Sequence, residues 1–357
     1  MLALDVCLSI SVAIVLARSL GAAGLGIYSV GVAVGLFMTP LLQAGIPLLL
    51  TREINNGNAR GELPAIRGVM QFAFMISTGL STIFGSVAYF AWPHIAAHMP
   101  SAYSHAILAG LFSAPAVALA NIFRGGLQGW HKVGTAITTG TALRSGTMLI
   151  LLAIALIFVP GWLTPGRAVW LNVAASATAF VIAATLLMTH TLRHLTRVRA
   201  AYSIAAWRGS MIRFTAVNGL MIAEQQALTF ILATFASEAQ VGFYRIAQRA
   251  AGLANLGLTN IARVIGPHIG KSHARGGKSR VQKLVTRGAQ AMSASTFLVV
   301  LLFVGFGGEM LDLAVGPEFR SANLPLVVLS IGWFIRACFG PLEMLMNMTG
   351  HESTIIR

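Results

Sequence analysis

The apolar residues of this chain fall into about ten separate blocks. Each is close to the roughly 20 residues a helix needs to cross bilayer hydrocarbon. The blocks lie near 2–20, 25–50, 69–92, 103–122, 133–159, 168–189, 211–235, 241–268, 284–306 and 323–348. Leu, Ala, Val and Ile dominate them, with glycines scattered inside. No segment alternates with the period of two that marks an outer-membrane strand. Lipid obliges each crossing segment to satisfy its own backbone amides. The pattern therefore predicts an all-α polytopic membrane protein with about ten transmembrane helices.

Composition and charge sharpen this reading. Only 10% of residues are charged, against about 25% in a soluble domain. The net charge of +15 would suggest nucleic acid in a soluble protein, but its distribution points elsewhere. Loops after the even-numbered blocks hold sixteen basic residues: Arg52, Arg60, Arg67, Arg124, Lys132, Arg193, Arg197, Arg199, Arg208, Arg213, Lys271, Arg275, Lys278, Arg280, Lys283 and Arg287. Loops after the odd-numbered blocks hold three: Arg18, Arg167 and Arg320. This alternation is the positive-inside pattern, and it predicts a cytoplasmic N-terminus. The basic charge then addresses anionic lipid, and nucleic acid is not an expected partner. The opening block, interrupted by Asp5, does not read as a cleavable signal peptide. Trp92, Trp162, Trp170 and Trp207 fall near span ends, where aromatic rings anchor a helix at the interface. Cys7 and Cys338 read as buried apolar thiols.

The chain also repeats itself. Leu16–Tyr28 (LARSLGAAGLGIY) and Leu232–Tyr244 (LATFASEAQVGFY) align at a constant offset of 216, with Leu, Ala, Ala, Gly and Tyr matching in register. Spans 1–2 thus correspond to spans 7–8, six spans apart, so the repeats are parallel. Two six-helix bundles related by an axis along the membrane normal form a transporter arrangement. The expected organisation is an N-terminal six-helix bundle over 1–190, a cytoplasmic basic linker over 191–210 and a C-terminal bundle over 211–357. The last is incomplete at four helices, with the counterparts of spans 5 and 6 missing.

Five segments carry a family resemblance. They are Ala17–Tyr28, Leu42–Glu53, Val241–Arg249, Gly316–Arg320 and Asn347–Gly350. In order and in topological position they resemble the bacterial polysaccharide (O-antigen type) flippases of the multidrug, oligosaccharidyl-lipid and polysaccharide exporter superfamily. The resemblance implies a multi-pass protein of the bacterial inner membrane. It implies alternating access that moves a polyprenyl-diphosphate-linked oligosaccharide to the outer leaflet, for surface polysaccharide biosynthesis. Membrane lipids, a glycan polymerase and glycosyltransferases are the accompanying partners. Relatives often carry an Asp in span 7; here that position is Leu228, and the nearest acid is Glu224.

Ionisable residues inside spans are costly and need a reason. Arg245, Arg249 and Arg263 in span 8 fall near 0°, 40° and 0° on a helical wheel, one basic face. Such a face suits a diphosphate, because the guanidinium fork pairs with phosphate oxygens and stays charged. The competing reading is that Arg245 and Arg263 snorkel to opposite interfaces. Arg144 and Arg336 add basic charge. Asp5, Glu224 and Glu343 are coupling or ion-pair candidates, with Glu224–Arg249 the preferred pair. Structural interhelical ion pairs are the alternative for each. Gly31 with Gly35, and Gly266 with Gly270, permit close helix approach, while Pro40, Pro47 and Pro115 can bend helices. No cofactor, metal site or catalytic constellation is evident, and the chain does not read as an enzyme. Besides a flippase, two functions stay open: a cation-coupled multidrug exporter, and a non-transporting scaffold that recruits glycan enzymes.

Overall fold

The computed structural model describes residues 2–159, 161–195, 198–274 and 278–342. Among them no strand occurs. The helices are α1 (Leu2–Gln43), α2 (Ile46–Arg60), α3 (Leu63–Ala96), α4 (Ser101–Gly129), α5 (Val133–Ile137) and α6 (Leu143–Phe158). They continue with α7 (Pro165–Leu195), α8 (Ile204–Phe235), α9 (Glu238–Ala274), α10 (Lys278–Val315) and α11 (Asn323–Cys338). A π turn, Thr138–Ala142, joins α5 to α6, and a 3₁₀ turn, Pro317–Ala322, precedes α11.

Among the described residues, seven helices are long and apolar enough to cross a membrane. This agrees with the ten blocks once three facts are set beside it. The 42-residue α1 breaks at Gly21, whose φ of 68° only glycine adopts freely, so α1 carries the first block and most of the second. The 32 residues of α8 and the 37 of α9 are long enough to cross but more polar. A second break, at Ala44 and Gly45 with φ of 45° and 71°, separates α1 from α2. It lies between Pro40 and Pro47, as a pair of bend-inducing residues would place it.

The outside is apolar and the inside is small. Phe90, Phe158, Phe235 and Leu313 are each at least 75% exposed, a surface suited to lipid and not to water. The core is rich in alanine, including Ala22, Ala33, Ala106, Ala109, Ala114 and Ala118. In lipid the hydrophobic effect gives helices little reason to associate, so van der Waals contact between closely approaching backbones takes over. Gly31 and Gly35 of α1 face α4, where a Cβ on Gly31 would strike the Ala106 carbonyl and one on Gly35 the Gly110 carbonyl. A Cβ on Gly110 would in turn strike the Gly31 carbonyl. Further along α4, Gly125 lies against Pro47 of α2, and Gly126 lies against Leu187 of α7. Hydroxyls inside these helices bond their own backbone: Ser29 to the Leu25 carbonyl (2.7 Å), Thr39 to Gly35 (2.8 Å) and Ser176 to Asn172 (2.8 Å). Such back-bonds let a polar side chain sit in a lipid-embedded helix without an orphaned group.

The chain divides into two compact units, Met1–Gly242 and Phe243–Arg357. The division falls within α9, whereas the sequence suggests a linker at 191–210. Two contacts explain why α8 belongs to the first unit. Asn218 donates to Gln43 (3.2 Å), and the rings of Phe230 and Phe37 meet edge to face at 5.6 Å. The segment 198–203 ahead of α8 is also fastened along α3. Arg67 donates to the Val198 carbonyl, Ala201 N–H donates to Pro64 (2.9 Å) and Tyr202 Oη donates to Gln71 (2.7 Å). Gly68 lets this strap lie flat, since a Cβ there would strike the Ala201 carbonyl.

The repeated motifs touch each other. A Cβ on Gly26 would strike the Glu238 carbonyl, and one on Gly242 would strike the Ala22 carbonyl. Under the offset of 216, Gly26 corresponds to Gly242 and Ala22 to Glu238. The contact is therefore reciprocal, the pattern produced by a two-fold axis between two equivalent segments.

Two expectations are corrected. Trp207 is 2% exposed and packs with Phe72 at 5.2 Å between ring centroids, so it belongs to the core and not to an interface belt. Cys7 and Cys338 are exposed on helix surfaces and not buried.

Replacing Gly110 by Val should destabilise the protein by about 1–3 kcal/mol, because the Gly31 backbone opposite cannot yield as a side chain can. Gly79→Ala, at a position with nothing within 4 Å, should leave stability unchanged or raise it by up to about 1 kcal/mol. Thermal unfolding of both variants in one detergent checks the contrast.

Candidate substrate site

The arginines expected to carry function fall into two sets, one in each unit. In the first unit, Arg144 is the second residue of α6, two beyond the end of the π turn. π turns arise where a helix absorbs an extra residue, and they recur at functional positions. This one is rich in hydroxyls: Thr138 Oγ1 bonds the Thr135 carbonyl (2.9 Å) and Thr139 Oγ1 bonds the same oxygen (2.8 Å). Arg144 reaches across to α7, where its Nε and Nη2 donate to Oδ1 of Asn172 at 3.1 and 2.9 Å. Asn172 is buried and Arg144 half-buried. On the other side of the turn, Arg124 of α4 lies against Gly140, where a Cβ would come within 2.9 Å of its Nη1. Two guanidiniums, an amide and several hydroxyls thus surround one irregular turn. By helical rise Arg144 is about 21 Å from the far end of α6, well inside the span.

In the second unit, Arg245, Arg249 and Arg263 all lie on the continuous helix α9, so their positions share one face. Arg245 is half-buried and its Nη1 donates to Oε1 of Gln248 (3.0 Å). Gln248 Nε2 donates in turn to Oη of Tyr244 (3.1 Å). Arg249, one turn on, is exposed. Arg336 is exposed in the last turn of α11, with its guanidinium 5.6 Å from the ring centre of Trp333.

The acidic candidates are less defined. Glu224 is exposed on α8 and belongs to the first unit, whereas Arg249 belongs to the second. Asp5 lies in the first turns of α1. Glu343 lies outside the described residues, so its relation to Arg336 does too. Among the described residues no three His, Cys, Asp or Glu side chains are grouped to hold a metal ion.

Sequence reasoning missed Asn172 and the π turn. The signal was present: Thr135, Thr138, Thr139 and Thr141 crowd an otherwise apolar block, and Asn172 is the one amide in the next.

Comparison with known proteins adds the following. The family described as polysaccharide biosynthesis protein matches residues 5–273. No curated protein matches the chain. An inward-facing multidrug resistance MATE family transporter of the MOP superfamily superposes with a TM-score of 0.75 at 16% identity, over 98% of this chain and 82% of that one. A transporter of that description in its outward-facing conformation gives 0.62 at 15% identity, over 99% and 80%. A MOP superfamily transporter from Pyrococcus furiosus, described as having a binding pocket of reverse polarity that suggests a different function, gives 0.64 at 14% identity, over 99% and 80%. At such identities the likeness establishes the fold, which is that of the MOP transporters.

Replacing Asn172 by Leu should cost about 1.5–3 kcal/mol, the worth of hydrogen bonds to a charged group. The loss should shrink in an Arg144→Met background. A double-mutant cycle on thermal unfolding measures the coupling, and equal losses in both backgrounds would show that the pair contributes nothing.

Proposed function

We propose that this chain, which belongs to the family of polysaccharide biosynthesis proteins, is a flippase for a polyprenyl-diphosphate-linked oligosaccharide. It works by alternating access in the bacterial cytoplasmic membrane, with its N-terminus inside. The observation that carries this reading is the basic face of α9. Arg245 and Arg249 stand one turn apart within a membrane-length helix. A diphosphate offers the acceptor oxygens that such a face can hold by paired, charge-assisted hydrogen bonds. Arg144, Arg263 and Arg336 are the further basic groups along its route, and Glu224, Glu343 and Asp5 are the coupling candidates. The glycan would occupy the wet space while the polyprenyl tail stays in lipid. Polymerase and glycosyltransferases would act before and after the transfer.

The second reading is a cation-coupled multidrug exporter. It is favoured by the multidrug transporters that share the fold. A cationic drug needs acids to receive it, and the predicted spans hold three acids, Asp5, Glu224 and Glu343, against five arginines. For the Pyrococcus furiosus protein, reversed pocket polarity is taken to suggest a different function. The same physical reasoning favours an anionic substrate here.

Arg249→Ala should weaken binding of the diphosphate lipid by about 10- to 150-fold and reduce transport in proportion, with membrane insertion unchanged. Arg249→Lys should fall between the two. Intrinsic Trp fluorescence of the protein in nanodiscs, titrated with polyprenyl-diphosphate-oligosaccharide and with a lipophilic cationic drug, reads both ligands. Drug binding displaced by Na⁺ or protons, without diphosphate-lipid binding, would favour the exporter; binding of neither would favour a scaffold.

A further inference from the structure

We infer that the groove between the start of α8, α3 and the α1–α2 break is a binding site for an anionic phospholipid, one acyl chain in the groove and its phosphate on Arg208. The groove lies wholly in the first unit, neither Arg144 nor the π turn lines it, and the inference does not depend on what the protein transports. Its volume is about 440 Å³, and it is lined by Ala44, Phe72, Ile204, Arg208, Met211, Ile212, Thr215 and Ala216. That size falls in the roughly 300–1,000 Å³ range of ligand sites. The lining offers almost no polar group. Thr215 spends its hydroxyl on the Met211 carbonyl (2.8 Å), so Arg208 alone is left to face a ligand with charge.

The walls are fixed. On one side Trp207 is locked against Phe72, and the strap at 198–203 is bonded to α3. On the other, the left-handed backbone of Ala44 and Gly45 brings the α1–α2 break against α8. A Cβ on Gly45 would meet the Met211 carbonyl at 2.6 Å and Phe214 Cβ at 2.8 Å. The cavity is thus held open by backbone and ring contacts, and Ile204 and Ile212, more than half exposed, leave its mouth apolar.

The occupant follows from charge. Arg208 is exposed, and no described residue forms a hydrogen bond or ion pair with it. Nearby Arg52 is already paired with Glu53 at 2.8 Å and lies over the Phe214 ring. A single unshared guanidinium at the end of an apolar groove matches a phosphodiester carrying one negative charge. The residues 193–213 hold five arginines, the composition that concentrates anionic phospholipid at a membrane surface. Seated there, the chain of the lipid would lie directly against Ala44 and brace the break between α1 and α2.

Native mass spectrometry of the full chain in detergent tests this, with dioleoyl phosphatidylglycerol and dioleoyl phosphatidylcholine as probes. The expected result is one preferentially retained phosphatidylglycerol. Arg208→Gln should weaken it about fivefold, the worth of one arginine at a lipid surface. Arg208→Lys should keep most of the affinity, and Ala216→Phe, which fills the groove, should abolish the adduct without lowering the thermal midpoint measured in phosphatidylcholine. The inference is overturned if all variants retain phosphatidylglycerol equally, if the two lipids bind alike, or if no adduct survives. Displacement of phosphatidylglycerol by polyprenyl phosphate would also overturn it, making the groove a seat for the transported lipid's tail.

Discussion

The backbone contact between α1 and α4 is what the first unit is built on. In lipid, the gain from burying a large apolar side chain nearly vanishes, because the tails outside are as apolar as the core. What remains is close packing, and it requires residues without side chains in the way. Gly31, Gly35 and Gly110 meet that requirement by letting two carbonyl-bearing backbones touch. Once α4 is seated on α1, its next glycines receive α2 at Pro47 and α7 at Leu187. One helix thus serves as the common partner of three others, and the contact is made of backbone, which has no rotamers to lose. The remaining surface is free to be large and apolar for lipid.

The same economy of side chains explains the internal repeat. Gly26 and Gly242 occur at equivalent positions, and each meets the backbone at the other's equivalent of Ala22. A contact of this kind is symmetric by construction: a residue that suits one half suits the other. The motif Gly-x-Tyr is therefore more than a loop signature. Its glycine is where the two copies of the motif come into register, and a side chain at either copy would push both segments apart. The repeat read as a pair of similar strings in the sequence is, in space, a single reciprocal contact.

How much was legible follows from which forces write themselves into composition. Lipid demands long apolar segments, so the helices could be read from block length, and even the Gly21 break fell between two of the blocks. Charge asymmetry marked the edges of the apolar blocks, but most of those basic residues, Arg52, Arg67 and Arg213 among them, sit within helices. The strap was not legible: residues 198–203 carry no periodic pattern, and its bonds run from side chains such as Arg67 and Gln71 to a segment more than a hundred residues away. That strap draws Trp207 into the core, so its burial was unreadable for the same reason. The π turn was half legible, since its threonines stood out but their purpose depends on Arg124 and Asn172, contributed by two other helices.

The partners of the membrane arginines bear on what the protein can do. A guanidinium inside a membrane must have its donors satisfied, and a carboxylate would do so while cancelling the charge. Two of these arginines are also held by amides. Arg144 gives two donors to the Asn172 amide, and Arg245 gives one to Gln248. An amide oxygen holds the guanidinium in place and removes none of its charge. An arginine fixed in this way is oriented before any ligand arrives, which lowers the entropic cost of binding.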